Sequence, residues 1–424
     1  MTQHPSDGAF QHGPLTGIRV LDLTGVIMGP YATHILADLG ADVIKVESPE
    51  GDSTRNYQPL RHDGMSGSFL NLHRNKRGLL LDLKQEAGRK ALRRLIESAD
   101  VFVHNMRPKA IAKLGFGYEQ VKAIKPDIVY CGAYGFSAKG PYGEKAAYDD
   151  LIQAGSGIAG LFGQVQGAPA YVPTVICDKL AGQAIAWSIL AALVQKMRGG
   201  GGQSIEVPML ETSIEFTMVE HWGGGAFEPP LSPVGFVRLL SPRRKPYRTK
   251  DGHACILPYS DSNWRDFFDF VGRPEFKEDE RFKRLASRVQ HVEILYGLIE
   301  EVAPNHTSAE WVAFCDAKSI PCMPVLYVND LHEDPHVQAV GLFGKAEHPS
   351  EGQYRTVRSP VTFSGAPFQI RHHAPRLGEH SVQVLREAGY SVAEIEALVG
   401  TGITVAGPVV PPAAKPPIGK MDVA

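Results

Sequence analysis

Asp178 stands where an apolar run, Tyr171-Val172-Pro173-Thr174-Val175-Ile176-Cys177, gives way to the Ala-rich stretch Leu180 to Val194. A carboxylate at a strand-to-helix junction lies among unpaired backbone N–H groups at the positive end of the helix dipole. Those groups favour its ionised form, and so a nucleophile near neutral pH. The plainer reading of such a residue is a helix N-cap. Cys177 beside it offers a thiol, but no His stands nearby in sequence to activate it, and it reads as a small apolar strand residue. Gly155-Ser156-Gly157-Ile158-Ala159-Gly160 satisfies G-x-G-x-x-G, with Asp178 at about the distance of a ribose-binding acid. A dinucleotide site needs a strand before those glycines and a helix after them. Tyr148 to Ala154 reads instead as helix, and Leu161 to Gly167 as too short for a long one. Gly199 to Gly202 precedes no Lys-Ser/Thr helix start, so a helix C-cap with a loose turn accounts for it better than a phosphate cradle. His221, His253 and His372-His373 have no partners at metal-ligand spacing, and no metal is assigned.

The elements that must carry these residues alternate in type. Ile18 to Leu23, Val43 to Val46, Leu79 to Leu83, Val101 to Val103 and Ile128 to Cys131 read as buried strands. Between them fall a helix with Pro30 near its start and Gly40 at its end, one with Leu92, Leu95 and Ile96 on one side, and one over Tyr118 to Ile124. Such alternation implies a mostly parallel sheet covered on both faces, an α/β, Rossmann-like architecture. Ser204 to Val207 adds a further strand. From Glu220 to Lys250 the glycines Gly223 to Gly225, several prolines and Arg243-Arg244-Lys245 read as a linker. Trp264 to Ala317 is largely helical, Ser319 to Val325 leads back towards the large domain, and Ser391 with Glu394 forms a capping box.

At 424 residues the chain is too long for one ordinary core. Its formal charge of −2 gives no support for nucleic acid or a membrane surface as a partner. Met1 to His12 lacks the apolar core of a secretory signal, and no stretch reads as the ~18 apolar residues of a membrane span. Five scattered cysteines with no CxxC pair suit a reducing, cytoplasmic setting.

One ordered series of motifs runs through the chain: Val20-Leu-Asp-Leu-Thr24, Gly40-Ala-Asp-Val-Ile-Lys-Val-Glu47, Asn75-Lys76-Arg77, Asp100-Val-Phe-Val-His-Asn105, Leu114-Gly-Phe-Gly-Tyr118, Gly140-Pro-Tyr142, Tyr148-Asp149, Gln153-Ala-Gly-Ser-Gly157 and Asp178. From about Gly17 to about Val399 it resembles the family III CoA-transferases, the CaiB/BaiF family. The resemblance implies a large Rossmann-like CoA-binding domain with a smaller inserted α+β domain on two long linkers, and a dimer of interlocked subunits. The domain plan is 1–12 disordered, 13–220 large domain, 221–250 linker, 251–330 small domain, 331–404 linker and return, and 405–424 disordered tail.

The resemblance makes Asp178 the nucleophile that becomes an anhydride and then an aspartyl-CoA thioester, with backbone donors aimed at each oxyanion and Ala181 and Gly182 admitting a close backbone. It places CoA against Ile27 and Met28, His73, Asn75 and Lys76 (Lys76 on phosphate), Asn105 and Met106, and Lys113. Coenzyme A and acyl-CoA enter as substrates, with no permanently bound cofactor, beside a small carboxylic acid. Ser48 and Lys113 stand where the formyl-CoA transferase branch has Arg, and Ile27 where it has Gln; a Lys lacks the two-pronged grip of Arg. The glycine-rich closing loop of that branch has no clear counterpart. Arg243-Arg244-Lys245 could hold an acceptor carboxylate. The α-methylacyl-CoA racemase branch of the same fold needs a His opposite the aspartate. Here that place is Ala147-Tyr148-Asp149, and a tyrosine, with an ordinary pKa near ~10, is a poor base.

Overall fold

The computed structural model describes residues 13–411. The N-terminal dozen residues and residues 412–424, both expected to be disordered, lie outside the described residues.

The chain forms two compact units. Unit 1 is assembled from three stretches, up to Ser156, from Val172 to Phe216, and from Val340 onward. Its centre is a six-stranded sheet of β1 (Arg19–Leu23), β2 (Asp42–Glu47), β3 (Lys76–Leu80), β4 (Val101–His104), β5 (Val129–Tyr134) and β6 (Gln203–Pro208), in the order β3-β2-β1-β4-β5-β6. Every pairing in it is parallel. The order reverses between β1 and β4, the place where doubly wound sheets open a crevice at their carboxyl ends. The helices are α1 (Met28–Asp38), α2 (Gly67–His73), α3 (Glu86–Ile96), α4 (Pro108–Lys113), α5 (Tyr118–Ile124), α6 (Asp149–Gly155), α7 (Ile158–Gln166, in unit 2), α8 (Ile176–Gln195) and α9 (Met209–His221).

Strand side chains alternate between the two faces. Leu21, Ile44, Leu79, Phe102 and Tyr130 pack with α3 and α5 in one apolar cluster. The alternate residues Val20, Val43, Val101, Val103, Val129 and Cys131 are equally buried and turn to the other face. There α1 and α8 lie against each other, with α8 also on β5 and β6. By length and composition Ile176–Gly200 could cross a membrane, contrary to expectation. In unit 1 its Ala181, Ile185, Ile189 and Leu193 are buried as in a core helix. The loose turn expected after it is present, with Gly199 at φ 86° and Gly201 at φ 70°.

Two expected boundaries move. The strand placed at Leu79–Leu83 begins at Lys76 instead, because Lys76 and Arg77 find acidic partners inside the fold: Lys76 with Asp22, Arg77 with Asp42 and Glu387. The run Tyr171–Cys177 is no strand. Val172 to Ile176 makes tight turns, Thr174 N to Val172 O at 2.7 Å and Ile176 N to Thr174 O at 2.8 Å, and α8 opens at Ile176. Cys177 is accordingly a buried helix residue.

Unit 2 comprises Gly157–Tyr171 and Thr217–Ala339. It holds an antiparallel sheet of β7 (Tyr247–Arg248), β8 (His253–Ile256) and β9 (Cys322–Pro324). Helices α10 (Asp261–Phe270), α11 (Leu285–Gln290), α12 (Val292–Val302) and α13 (Ser308–Ala317) close on Trp264, Phe267, Phe268, Ile299 and Trp311; α14 (Pro335–Ala339) ends the unit. Ser319 to Val325 supplies β9 rather than a return path, since Cys322 pairs with Ile256 on β8.

The chain then re-enters unit 1 as the hairpin β10 (Phe343–His348) and β11 (Gly352–Val357), followed by α15 (Ser381–Glu387) and α16 (Val392–Gly400). Val384, Leu385, Ile395 and Leu398 join the α3 and α5 side of the sheet. Ser391 and Glu394 form the capping box read from the sequence. Beyond Val405 the described part of the tail is not loose: Val409 N donates to Leu377 O at 2.9 Å.

Candidate active site

The loops at the carboxyl ends of β1 and β4 are tied together. Asn105 accepts from Gly25 N at 3.0 Å and donates to Gly25 O at 2.8 Å, so one side chain fixes both sides of the crevice. Ile27 caps α1 and Met28 opens it. Met106 is partly buried against the apolar cluster, and Lys113 is exposed at the end of α4.

His73, Asn75 and Lys76 are placed differently from what the resemblance implied. Lys76 has no exposed surface. Its Nζ is spent on Asp22 Oδ2 (3.2 Å), Thr33 Oγ1 (2.7 Å), Pro30 O (3.1 Å) and His73 Nδ1 (3.2 Å). Burial draws its pKa down to about 8, Asp22 offsetting part of the effect. An ammonium so enclosed presents no face to a phosphate, so in this conformation its role is to hold the fold. His73 is buried and stacked on Phe69. Asn75, at φ 62°, binds Asp38 and Gln369 O and accepts from Arg371 N.

The same buried network shapes the loop after β1. Thr24 donates to Asp22 Oδ1 through both its N–H and its hydroxyl. Lys45 donates to Thr24 O at 3.0 Å and pairs with Asp52 at 2.8 Å, and Asp52 Oδ1 accepts from Val26 N at 3.3 Å. Burial would raise the Asp22 and Asp52 carboxyls, but the lysines and hydroxyls outweigh it and hold both below the usual range. The signal for this network was in the motifs: a lone Asp in Val20-Leu-Asp-Leu and a lone Lys in Val43-Ile-Lys-Val.

Asp178 lies in the first turn of α8 and is half-buried. The expectation that helix N–H groups hold it ionised is corrected. Among the described residues its carboxylate accepts no hydrogen bond, and its own N–H donates to Asp149 Oδ1 at 3.0 Å. Burial first, then the Asp149 charge, raise its pKa to about 6, with Lys179 opposing. It is therefore ionised at neutral pH but poorly solvated, the state of a carboxylate ready to share its charge with an electrophile. The Asp178 N–H, being engaged, is not the expected oxyanion donor.

Asp149 is the residue the sequence reading passed over, noting it only within a motif. Its other oxygen accepts from Gln153 Nε2 at 2.6 Å, and Gln153 Oε1 accepts from Val172 N at 2.8 Å. The turn before α8 is thereby pinned to α6. Cys177 is buried and near Ser156 and Ser213; burial pushes its thiol up to about 11, so it supplies no thiolate.

Gly182, one helical turn or about 6 Å beyond Asp178, serves packing. A Cβ there would stand 2.8 Å from Met28 O and 2.9 Å from Tyr31 Cδ1. Its absence lets α8 meet the start of α1 and brings Asp178 beside the crevice loop, inside unit 1. Of the cluster Arg243-Arg244-Lys245, two members are engaged within unit 2: Lys245 pairs with Glu300 at 2.6 Å, and Arg243 faces Glu293 and Glu300 at 3.9 Å each; Arg244 is exposed. The G-x-G-x-x-G stretch runs from helix α6 into helix α7, which removes the dehydrogenase reading.

The sequence profile of CoA-transferase family III matches residues 15–381. The chain belongs to CoA-transferase family III. Among its relatives, succinate–glutarate CoA-transferase of Agrobacterium fabrum is 32% identical over 384 residues, 88% of this chain and 95% of that protein. Formyl-CoA:oxalate CoA-transferase of Escherichia coli O6:H1 is 32% identical over 408 residues, 91% of this chain and 98% of that protein. A CaiB/BaiF family protein from Brucella suis superposes with TM-score 0.75 at 31% identity, covering 89% of this chain and all of that one. Rv3272 of Mycobacterium tuberculosis gives TM-score 0.76 at 26% identity, with 87% and 98% covered. The family III transferase fold, with its six-stranded parallel sheet, and CoA thioesters as substrates follow.

Proposed function

We propose that this enzyme moves CoA between two carboxylic acids through covalent intermediates on Asp178. Asp178 is acylated when its carboxylate attacks the donor thioester carbonyl; the C–S bond breaks, CoA thiolate leaves and a mixed anhydride remains. The thiolate then attacks the aspartyl carbonyl, expelling the donor acid and leaving an aspartyl-CoA thioester. The acceptor carboxylate displaces CoA to give a second anhydride. Attack of thiolate on the acceptor carbonyl releases the new acyl-CoA and restores Asp178. No redox or metal step is needed for atoms or charge to balance.

The observation that carries this reading is a desolvated carboxylate that accepts no hydrogen bond among the described residues, at the start of α8, held one turn from the close approach of α8 to Met28. Ile27, Met28, Asn105, Met106 and Lys113 frame the crevice proposed for CoA. Likeness to the succinate–glutarate enzyme supports a small dicarboxylic acyl donor such as succinyl-CoA; the acceptor we propose is an aliphatic or aromatic acid. A racemase would need a base where Tyr148 stands, largely exposed at the N-cap of α6. An interlocked homodimer in the cytoplasm is part of the same proposal. Association of two copies is supported by Trp187 and Val194, exposed apolar residues on one side of α8, and by Met197 just beyond its end.

The test is mass spectrometry of the protein incubated with a panel of acyl-CoAs and trapped with hydroxylamine. A mass change confined to the peptide bearing Asp178, for one donor only, is expected. An Asp178→Ala enzyme that exchanged thioesters at the wild-type rate would remove the mechanism.

A further inference from the structure

The wall of one cavity in unit 1, about 560 Å³, is made by Arg61, Leu70, Asn71, Lys345, Tyr354 and Arg355 among others. Its volume falls in the range of small-ligand sites. Three of these residues are cations, and no carboxylate is among its lining residues.

The cations are arranged at a cost. Lys345 and Arg355 are direct partners across the β10–β11 hairpin, where like charges oppose pairing and a carboxylate would normally face a cation. Among the described residues neither has an acidic group within ion-pair distance, although Arg77, Arg74, Lys45 and Arg55 in the same unit are all paired. Arg61 is drawn to the same hairpin through the carbonyls of Glu351 and Gln353, which leaves its charge uncompensated.

From this convergence we infer that the cavity beneath the β10–β11 hairpin is a binding site for a small polyanion, one carrying two or more carboxylate or phosphate groups. An anion between Lys345 and Arg355 turns their repulsion into two charge-assisted bonds. Leu70 supplies apolar wall for the ligand's carbon frame. None of these residues belongs to the crevice loops or to the surroundings of Asp178, so the site is separate from the transfer chemistry and does not depend on it.

Titration calorimetry on the full-length protein, with coenzyme A in excess so that the sites for its own phosphates are filled, tests the inference. Citrate is the probe in one arm and inorganic pyrophosphate in the other; the arm that saturates tells carboxylate from phosphate. The expected result is one saturable site, weakened by salt and by about tenfold or more in Lys345→Gln/Arg355→Gln. Both side chains are exposed, so the fold tolerates the change. Lys90→Gln removes an exposed cation on α3 and is expected to bind as wild type does. Binding of neither probe at millimolar concentration would overturn the inference. So would equal binding by the double variant, or an equal loss in Lys90→Gln.

Discussion

Replacing Asp178 by Asn removes the charge while keeping the shape, and the structure sets what should follow. The carboxyl is raised from 3.8 to about 6 by burial and by Asp149. A folded-state pKa above the unfolded one means that folding binds a proton. The protonated form is therefore favoured, and ionising the group destabilises the fold. That penalty is absent below about pH 4, grows between pH 4 and 6, and is complete above pH 6. Two pKa units correspond to ~3 kcal/mol, and partial access to water reduces this to ~1–2 kcal/mol. Asp178→Asn should therefore be more stable than wild type by ~1–2 kcal/mol at pH 7, equal to it near pH 4, and inactive throughout. Because a chain with two units does not unfold in one step, the local readout is hydrogen exchange of the α8 amides. Both proteins are compared at each pH, so that intrinsic exchange cancels. A variant no better protected than wild type at pH 7, or better by the same amount at pH 4, refutes the claim that Asp178 is a desolvated charge.

Asp149→Asn should lower the Asp178 pKa, so the acid limb of the kcat/KM pH profile moves to lower pH; a limb that stays in place assigns the shift to burial alone. Gly182→Ala puts a methyl group 2.8 Å from Met28 O. It should cost ~1–3 kcal/mol of local stability, read from hydrogen exchange of the α8 amides, and slow thioester exchange, whereas unchanged protection would show that α1 and α8 have room to part. Lys76→Met leaves Asp22 buried without its cation. The expected loss is ~3–5 kcal/mol, read locally from hydrogen exchange of the β1 and β3 amides, and a loss under ~1 kcal/mol would mean that Thr24, Thr33 and Lys45 suffice to hold that charge.

The elements legible in the sequence were those whose apolar periodicity is undisturbed. Tyr118–Ile124 was placed to the residue, and the strands at Val43–Val46 and Val101–Val103 each gained only terminal residues. Errors arose where charge or turns masked the pattern. Lys76 and Arg77 look like surface residues, yet they form the start of β3 because acids on β1, β2 and α15 neutralise them. The β-branched run before Asp178 looked like a strand but has no neighbour to pair with, so its backbone groups close on themselves in turns. Asp178 itself was conspicuous from its neighbours in the motif series. Its environment was not, because Asp149 reaches it from 29 positions away in sequence, a separation that no local pattern encodes. The excursion of Gly157–Tyr171 into unit 2 was invisible for the same reason.

Three separated lengths of chain build the unit that carries Asp178, and the last of them begins only at Val340. During synthesis the first five strands leave the ribosome long before α15 and α16, whose Val384, Leu385, Ile395 and Leu398 cover Leu79, Leu92 and Phe102. Until those closing helices arrive, an oily sheet face stands open to water and to neighbouring nascent chains, and such distant pairings are slow to find one another. Expression truncated before Ser381 should thus yield aggregates in the pellet rather than a smaller working enzyme.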